Sequence, residues 1–244
     1  MKNVLTAVLT LLYPSQCLGC KSLLESEESF CPACWKFVYP IQSPLCLCCG
    51  IPFATPAGPD HLCIHCQDRP PSFRQARSWA RYYSGKTIPH PLSEAIQRFK
   101  YQRNLGVGKT LATLGVQHFP LANEQYDLIV PVPLHLERLR WRGFNQSLIF
   151  ARMIGDMQQV HVDPFLLERI RPTVPQTQLS AGERRANVRG AFAIPDPEQV
   201  QGKRVLLVDD VYTSGATVEE CAKVLCRSSA AIVDVFTLTR AVTH

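Results

Sequence analysis

The sequence predicts an α/β protein on a largely parallel sheet, with a small cysteine-rich unit ahead of it. Three observations carry that prediction. Over about 165 residues, short apolar runs rich in Val, Ile and Leu alternate with stretches of helical period, the pattern of a parallel sheet flanked by helices. Nine of the eleven cysteines fall between Cys17 and Cys66, in a segment with few apolar runs of any length. Between the two, Pro70-Pro71-Ser72 cannot continue a helix and the composition changes, so the units are placed at residues 1–72 and 73–244.

Composition narrows the class. With 244 residues, 46% hydrophobic and 19% charged, the chain is neither disordered nor collagenous. Its longest apolar run, Val4 to Tyr13, falls short of the roughly 18 to 20 residues that cross a bilayer. The net charge of +6 is uneven: Arg81, Lys86, Arg98, Lys100, Arg103 and Lys109 face only Glu94 between residues 81 and 109, which makes that stretch a candidate anion-binding surface.

Taken in order, Val4, Leu5, Val8, Leu9, Leu11 and Leu12 fall on one arc of a helix, which is therefore amphipathic and not the all-round apolar core of a signal peptide. Eight cysteines then form four Cys-x-x-Cys pairs: Cys17/Cys20, Cys31/Cys34, Cys46/Cys49 and Cys63/Cys66. That spacing is the signature of two structural tetrathiolate zinc sites, and thiolates kept reduced point to a cytoplasmic protein. Sequential pairing closes the shorter loops and is favoured by about 1 kcal/mol of closure entropy, while an interleaved pairing is chemically as good. Cys48 is the spare thiol; His61 and His65 could substitute as ligands, but with four cysteine pairs present they read as bystanders.

Ser78–Tyr83 reads as a strand, Leu92–Lys100 and Val107–Phe119 as helices, and Tyr126–Val132 as a strand. Gln146–Met157 puts Ile149, Phe150, Met153, Ile154 and Met157 on one helical face. Val160–Phe165 reads as a short strand, Val205–Asp209 as a buried one, Ala216–Cys226 as a helix and Ile232–Leu238 as the last strand. Cys221 lies on the apolar face of its helix, with Cys226 at the edge. Gly106-Val107-Gly108-Lys109-Thr110 imitates a phosphate-binding loop but lacks its first glycine and its preceding strand, so it reads as a helix entry.

The chemistry concentrates after the Val205–Asp209 strand. Asp209 and Asp210 are followed by Val211, Tyr212 and the turn Thr213-Ser214-Gly215-Ala216-Thr217, which enters a helix. Ligands of open α/β sheets sit at the carboxyl ends of strands, and free N–H groups at a helix start cradle phosphate. Two carboxylates beside a phosphate repel it unless sugar hydroxyls or Mg²⁺ intervene, so the ligand is expected to be a ribose 5-phosphate. Pro131 and Pro133 end another strand, and Arg138, Arg140 and Arg142 follow, with forks suited to pyrophosphate or backbone phosphate. A polar loop through Pro175-Gln176-Thr177-Gln178 leads into a basic helix carrying Arg184 and Arg185. Trp141, Phe144, Phe99 and Tyr101 lie among basic residues, the mixture of a single-strand stacking surface or of core.

The Asp209–Thr217 run resembles the 5-phosphoribosyl 1-pyrophosphate loop of type I phosphoribosyltransferases. The four cysteine pairs, the Val130-Pro131-Val132-Pro133 strand with Arg142-Gly143-Phe144-Asn145-Gln146, the Pro-Gln-Thr-Gln-Leu-Ser loop, Arg-Arg-Ala-Asn-Val and the Asp-Asp loop resemble, in that order, the ComF family over residues 10 to 242. The resemblance implies a double zinc ribbon on a type I phosphoribosyltransferase-like fold. It also implies a phosphoribosyl ligand with Mg²⁺ at Asp209, Asp210 and the turn, and a cytoplasmic role with single-stranded DNA and the DNA-uptake machinery of natural competence. The pyrophosphate end departs from the enzymes, because Pro131-Val132-Pro133-Leu134 offers no charge before His135 and Arg138. An active phosphoribosyltransferase, with Asp209 and Asp210 catalytic, is the alternative to a binding protein.

Overall fold

The computed structural model describes residues 15–24, 28–83, 90–174 and 179–242. The amphipathic helix expected over Val4–Leu12, Lys86 and the Pro175–Gln178 stretch lie outside the described residues.

Four strands form one parallel sheet in the order β1-β6-β5-β2: β1 (Gln75–Tyr82), β2 (Leu128–Pro131), β5 (Arg204–Tyr212) and β6 (Ile232–Ala241). β3 (Glu168–Arg169) and β4 (Phe192–Ala193) make a small antiparallel pair beside it. The helices are α1 (Pro32–Trp35), α2 (Ile64–Asp68), α3 (Pro91–Tyr101), α4 (Leu105–Gln117), α5 (Leu136–Arg142), α6 (Gln146–Gln158), α7 (Ala181–Val188) and α8 (Ala216–Arg227). None of the described helices is long and apolar enough to cross a membrane.

Strand residues alternate between two cores, as the period of 2 requires. Ile129, Leu206, Val208, Phe236 and Leu238 pack with Leu92, Ile96 and Phe99 of α3, Leu111 of α4 and Phe150 of α6. Leu128, Val130, Val205, Leu207 and Val235 pack with Cys221 and Leu225 of α8. Each cysteine cluster joins a different one of these cores. Cys17, Leu18, Phe30 and Val38 are buried in the first, whereas Cys46, Cys49 and Cys66 are buried in the second. A segment that cannot build a core of its own therefore borrows both faces of the sheet.

Besides the short α1, α2, β3 and β4, which it did not predict, the sequence reading differs from this fold in three places. Val160–Phe165 is not a strand: Val162 makes a single parallel bridge to Ile129. Asp163 then accepts from the N–H groups of Phe165 and Leu166 and turns the chain away, leaving Phe165 exposed. The strand expected to stop at Asp209 runs to Tyr212, because β6 continues to Ala241 and the ladder pairs Val211 with Thr239 and Tyr212 with Arg240. Both aspartates are thus strand residues. Finally, α5 went unread. His135 caps it and Gly143, at φ 85°, ends it, so its seven residues offer too short a period to detect.

Candidate functional site: the turn after β5 and the two tetrathiolate clusters

In each tetrathiolate cluster the sulfurs all lie within 4.8 Å of one another, grouped as Cys17, Cys20, Cys31, Cys34 and as Cys46, Cys49, Cys63, Cys66. The pairing is sequential. Four sulfurs at about 2.3 Å from a tetrahedral zinc stand about 3.8 Å apart. Cys20 and Cys31 are 3.7 Å apart and Cys49 and Cys63 3.8 Å, so the donor sets fit Zn²⁺. Backbone N–H groups of Cys31 and Cys63 donate to the sulfurs of Cys17 (3.2 Å) and Cys46 (3.4 Å), which ties the two Cys-x-x-Cys turns of each cluster together. Burial pushes the Cys34 and Cys66 thiols up, whereas a hydrogen bond from Ser22 brings Cys20 down to about 6. A dication is what lets all four ionise together. Cys48 and His61 stay outside the sets: His61 stacks on Phe53 at 4.0 Å.

The acidic pair is held from several elements. Asn145 caps α6 by accepting from Ser147 N–H (3.0 Å) and donates to Val132 O (3.1 Å), which ties α6 to the end of β2. Ser147 then donates to Asp209 Oδ1 (2.8 Å), which also accepts from Asp210 N–H (2.9 Å). Asp210, buried, meets Lys100 Nζ of α3 at 2.7 Å. Burial, and next the Asp210 charge, push the Asp209 carboxyl up to about 7. Val211 lies in the ladder.

The turn itself is spare. Among the described residues the N–H groups of Thr213, Ser214 and Gly215 have no hydrogen-bond partner, and Ser214 Oγ accepts from Ala216 N–H at 3.4 Å. Gly215, at φ 76°, precedes α8 with no side-chain cap. A Cβ there would stand 2.3 Å from Tyr212 Oη, so the glycine is demanded by its own strand end. Thr217 lies in the first turn of α8.

The basic residues separate. Arg138 lines a cavity of about 180 Å³ with His135, Glu137, Arg169, Pro172 and Thr173. Arg169 was invisible to sequence reading because Glu168–Arg171 matched no motif. Its guanidinium lies 5.3 Å from the Phe192 ring and donates to Thr173, and its Nε has no partner among the described residues. Arg142, by contrast, is 4% exposed and donates to Gln146 Oε1 at 2.6 Å, with its guanidinium 6.0 Å from the Tyr101 ring. It is a buried residue at the end of α5 and not part of the exposed basic surface. Arg184 and Arg185 stand on α7 and line no part of the cavity.

The aromatic set also divides. Phe99 is fully buried and stacks on Phe144 at 5.0 Å, so those two are core. Tyr101 and Trp141 are 50% and 51% exposed, their rings 6.3 Å apart, with Arg103 5.5 Å over Trp141. The phosphate-loop imitation is excluded by packing: a Cβ at Gly108 would lie 2.2 Å from the Phe99 ring, so that glycine serves the helix contact.

Residues 8–68 match the double zinc ribbon domain. Over 236 residues, 94% of this chain and 99% of the relative, the sequence is 35% identical to the DNA utilization protein YhgH of Salmonella typhimurium (strain LT2). It is 29% identical to competence protein F of Haemophilus influenzae over 93% of this chain and 97% of that one. A solved structure it is similar to, glutamine phosphoribosylpyrophosphate amidotransferase from B. subtilis, shares 22% identity at a TM-score of 0.34 and covers 64% of this chain, which spans 29% of that enzyme's length. On this relationship along nearly its whole length, the chain belongs to the ComF family of double-zinc-ribbon proteins, whose relatives are named for competence and DNA utilization.

Proposed function

We propose that this protein handles single-stranded DNA in DNA uptake or utilization, and that the turn after β5 seats a phosphoribosyl-type ligand. The observation that carries the first part is the exposed Tyr101–Trp141 pair with Arg103 over it and Arg138 and Arg140 on the same helix as Trp141. Unpaired bases stack on such rings for about 1–3 kcal/mol each while the arginines meet the backbone. Duplex bases are already stacked on one another and gain nothing there. Presenting one sequence both single-stranded and paired, and reading fluorescence anisotropy, tests this: the single strand binds at least tenfold tighter, and equal affinity overturns the reading.

The ligand part is supported by the unpartnered N–H groups of Thr213, Ser214 and Gly215, with the α8 dipole behind them. Asp209 and Asp210 face the sugar in this reading. They do not fit a directly held Mg²⁺, because Lys100 already supplies the cation at Asp210 and Asp209 accepts two internal hydrogen bonds. Magnesium therefore enters only on the ligand's own phosphates. A cytoplasmic location is part of this reading, supported by eight thiolates that have to stay reduced to hold zinc.

A second reading, an active phosphoribosyltransferase, draws on one observation: Asp209, held near 7, is poised to exchange a proton at neutral pH. Mixing the protein with 5-phosphoribosyl 1-pyrophosphate and candidate bases separates the two. Release of pyrophosphate establishes the enzyme; ligand binding without release supports the binding protein.

A further inference from the structure

The second tetrathiolate cluster is the more deeply set of the two, with Cys46, Cys49 and Cys66 all buried. Four thiolates around Zn²⁺ carry a net charge of two minus, and a buried charge of that size needs a partner. Arg240, near the end of β6 and 5% exposed, has no carboxylate partner among the described residues. Its two terminal nitrogens go to Cys49 instead, one to the carbonyl oxygen at 2.5 Å and one to Sγ at 3.5 Å.

The guanidinium also has a second neighbour. Its central carbon lies 4.0 Å from the centre of the Tyr212 ring, and Tyr212 is its partner in the β5–β6 ladder. The far end of that ring closes against Gly215, the last residue before α8. Sulfur, guanidinium, phenol ring and turn thus form one unbroken run of contacts, from Cys49 through Arg240 and Tyr212 to Gly215. Among the described residues the first cluster has no such run to the turn, and no arginine reaches a sulfur of that cluster. Its Cys20 is exposed beside Ser22, and a Cβ at its Gly19 would meet Pro91 of α3.

We propose that Arg240 is the counter-charge of the second zinc site and a positioning residue for the turn after β5, so that the zinc state of this site alone sets the turn's geometry. With the dication present, Cys49 is fixed, the guanidinium lies flat over Tyr212 and the ring holds Gly215 in place. Without it the four sulfurs have no common centre, Arg240 loses its anchor and the turn loosens. The effect on affinity rests on the reading that the turn receives a phosphate; the effect on turn order does not.

The test compares the full chain with Cys63→Ser, which opens the second site without touching Arg240's contacts, Cys20→Ser, which opens the first, and Arg240→Met, which keeps both metal ions. Hydrogen exchange of the Thr213–Ala216 amides and titration with 5-phosphoribosyl 1-pyrophosphate are read in each, with zinc content by elemental analysis. Cys63→Ser and Arg240→Met speed exchange in the turn at least tenfold and weaken the ligand about tenfold, while Cys20→Ser changes either by less than twofold. Arg240→Lys, which keeps the charge but neither the fork nor the flat face, falls between. Unchanged exchange in Arg240→Met, or equal loosening from Cys20→Ser, overturns the coupling. Should Cys63→Ser fail to fold, the Arg240 variants decide alone. If the unaltered protein takes no ligand, the phosphoribosyl reading falls and the exchange data still decide the coupling.

Discussion

Replacing Gly215 with alanine tests how the turn after β5 is built. The residue sits at φ 76°, where a Cβ costs about 1–2 kcal/mol. That Cβ also lands 2.3 Å from Tyr212 Oη and 2.6 Å from its Cζ, on a ring wedged by Arg240, and overpacking of this kind costs about 1–3 kcal/mol. The two add to about 2–5 kcal/mol, which for a chain of this length lowers the midpoint of thermal unfolding by roughly 5–15 °C. Urea titrations of Gly215→Ala, Tyr212→Leu and the double variant form a cycle. Shrinking the ring removes the clash but not the backbone cost, so the double variant is more stable than the sum of the singles by at least about 1 kcal/mol. A cost below about 1 kcal/mol for Gly215→Ala, additive with Tyr212→Leu, would refute the argument that the ring fills the space beside the glycine.

The clusters should bind two zinc ions per freshly reduced chain, and chelation should expose apolar surface on both faces of the sheet, read as dye binding together with a lower unfolding midpoint; one ion or none contradicts the pairing. Asp209→Asn should gain stability over the unaltered protein as pH rises from 5 to 8. The folded carboxyl, raised to about 7, pays for ionisation that the unfolded chain completes near 4, so the penalty is absent at low pH and full above 7. A gain that is the same at pH 5 and pH 8 contradicts this. Lys100→Met leaves the buried Asp210 without its cation and should cost about 3 kcal/mol in urea titrations; a loss below about 1 kcal/mol contradicts the pair's role.

Much of this was legible because its physics is local. Cysteine spacing announces a metal knuckle before any fold exists, and Val205-Leu206-Leu207-Val208 announces a buried parallel strand. The helical period likewise puts Phe150 and Ile154 on the inward face of Gln146–Met157, and both are buried. What escaped depends on contacts across the chain. Nothing near Lys100 says that it meets Asp210, 110 positions on, and nothing near Arg240 says that it rests on Cys49. Arg142 reads like Arg138 and Arg140 in a row of basic residues, yet the turn of α5 buries it and leaves them outside. The same helix sorts the aromatics: Trp141 faces out while Phe144, just past Gly143, turns in against Phe99. Strand length failed for a related reason, since Asp209 and Asp210 look like a strand's end until β6 is found pairing beyond them.

The central claim is that a single strand stacks on Tyr101 and Trp141 with arginines along its backbone. Anisotropy of a labelled single-stranded oligonucleotide, titrated with Trp141→Ala and with the unaltered protein at physiological salt, tests it most directly. Loss of one stacked base predicts weakening by roughly fivefold to a hundredfold, about 1–3 kcal/mol, with the salt slope unchanged because no phosphate contact is removed. Affinity unchanged by Trp141→Ala, with binding that vanishes at physiological salt, would mean that the surface attracts any polyanion and the claim is wrong.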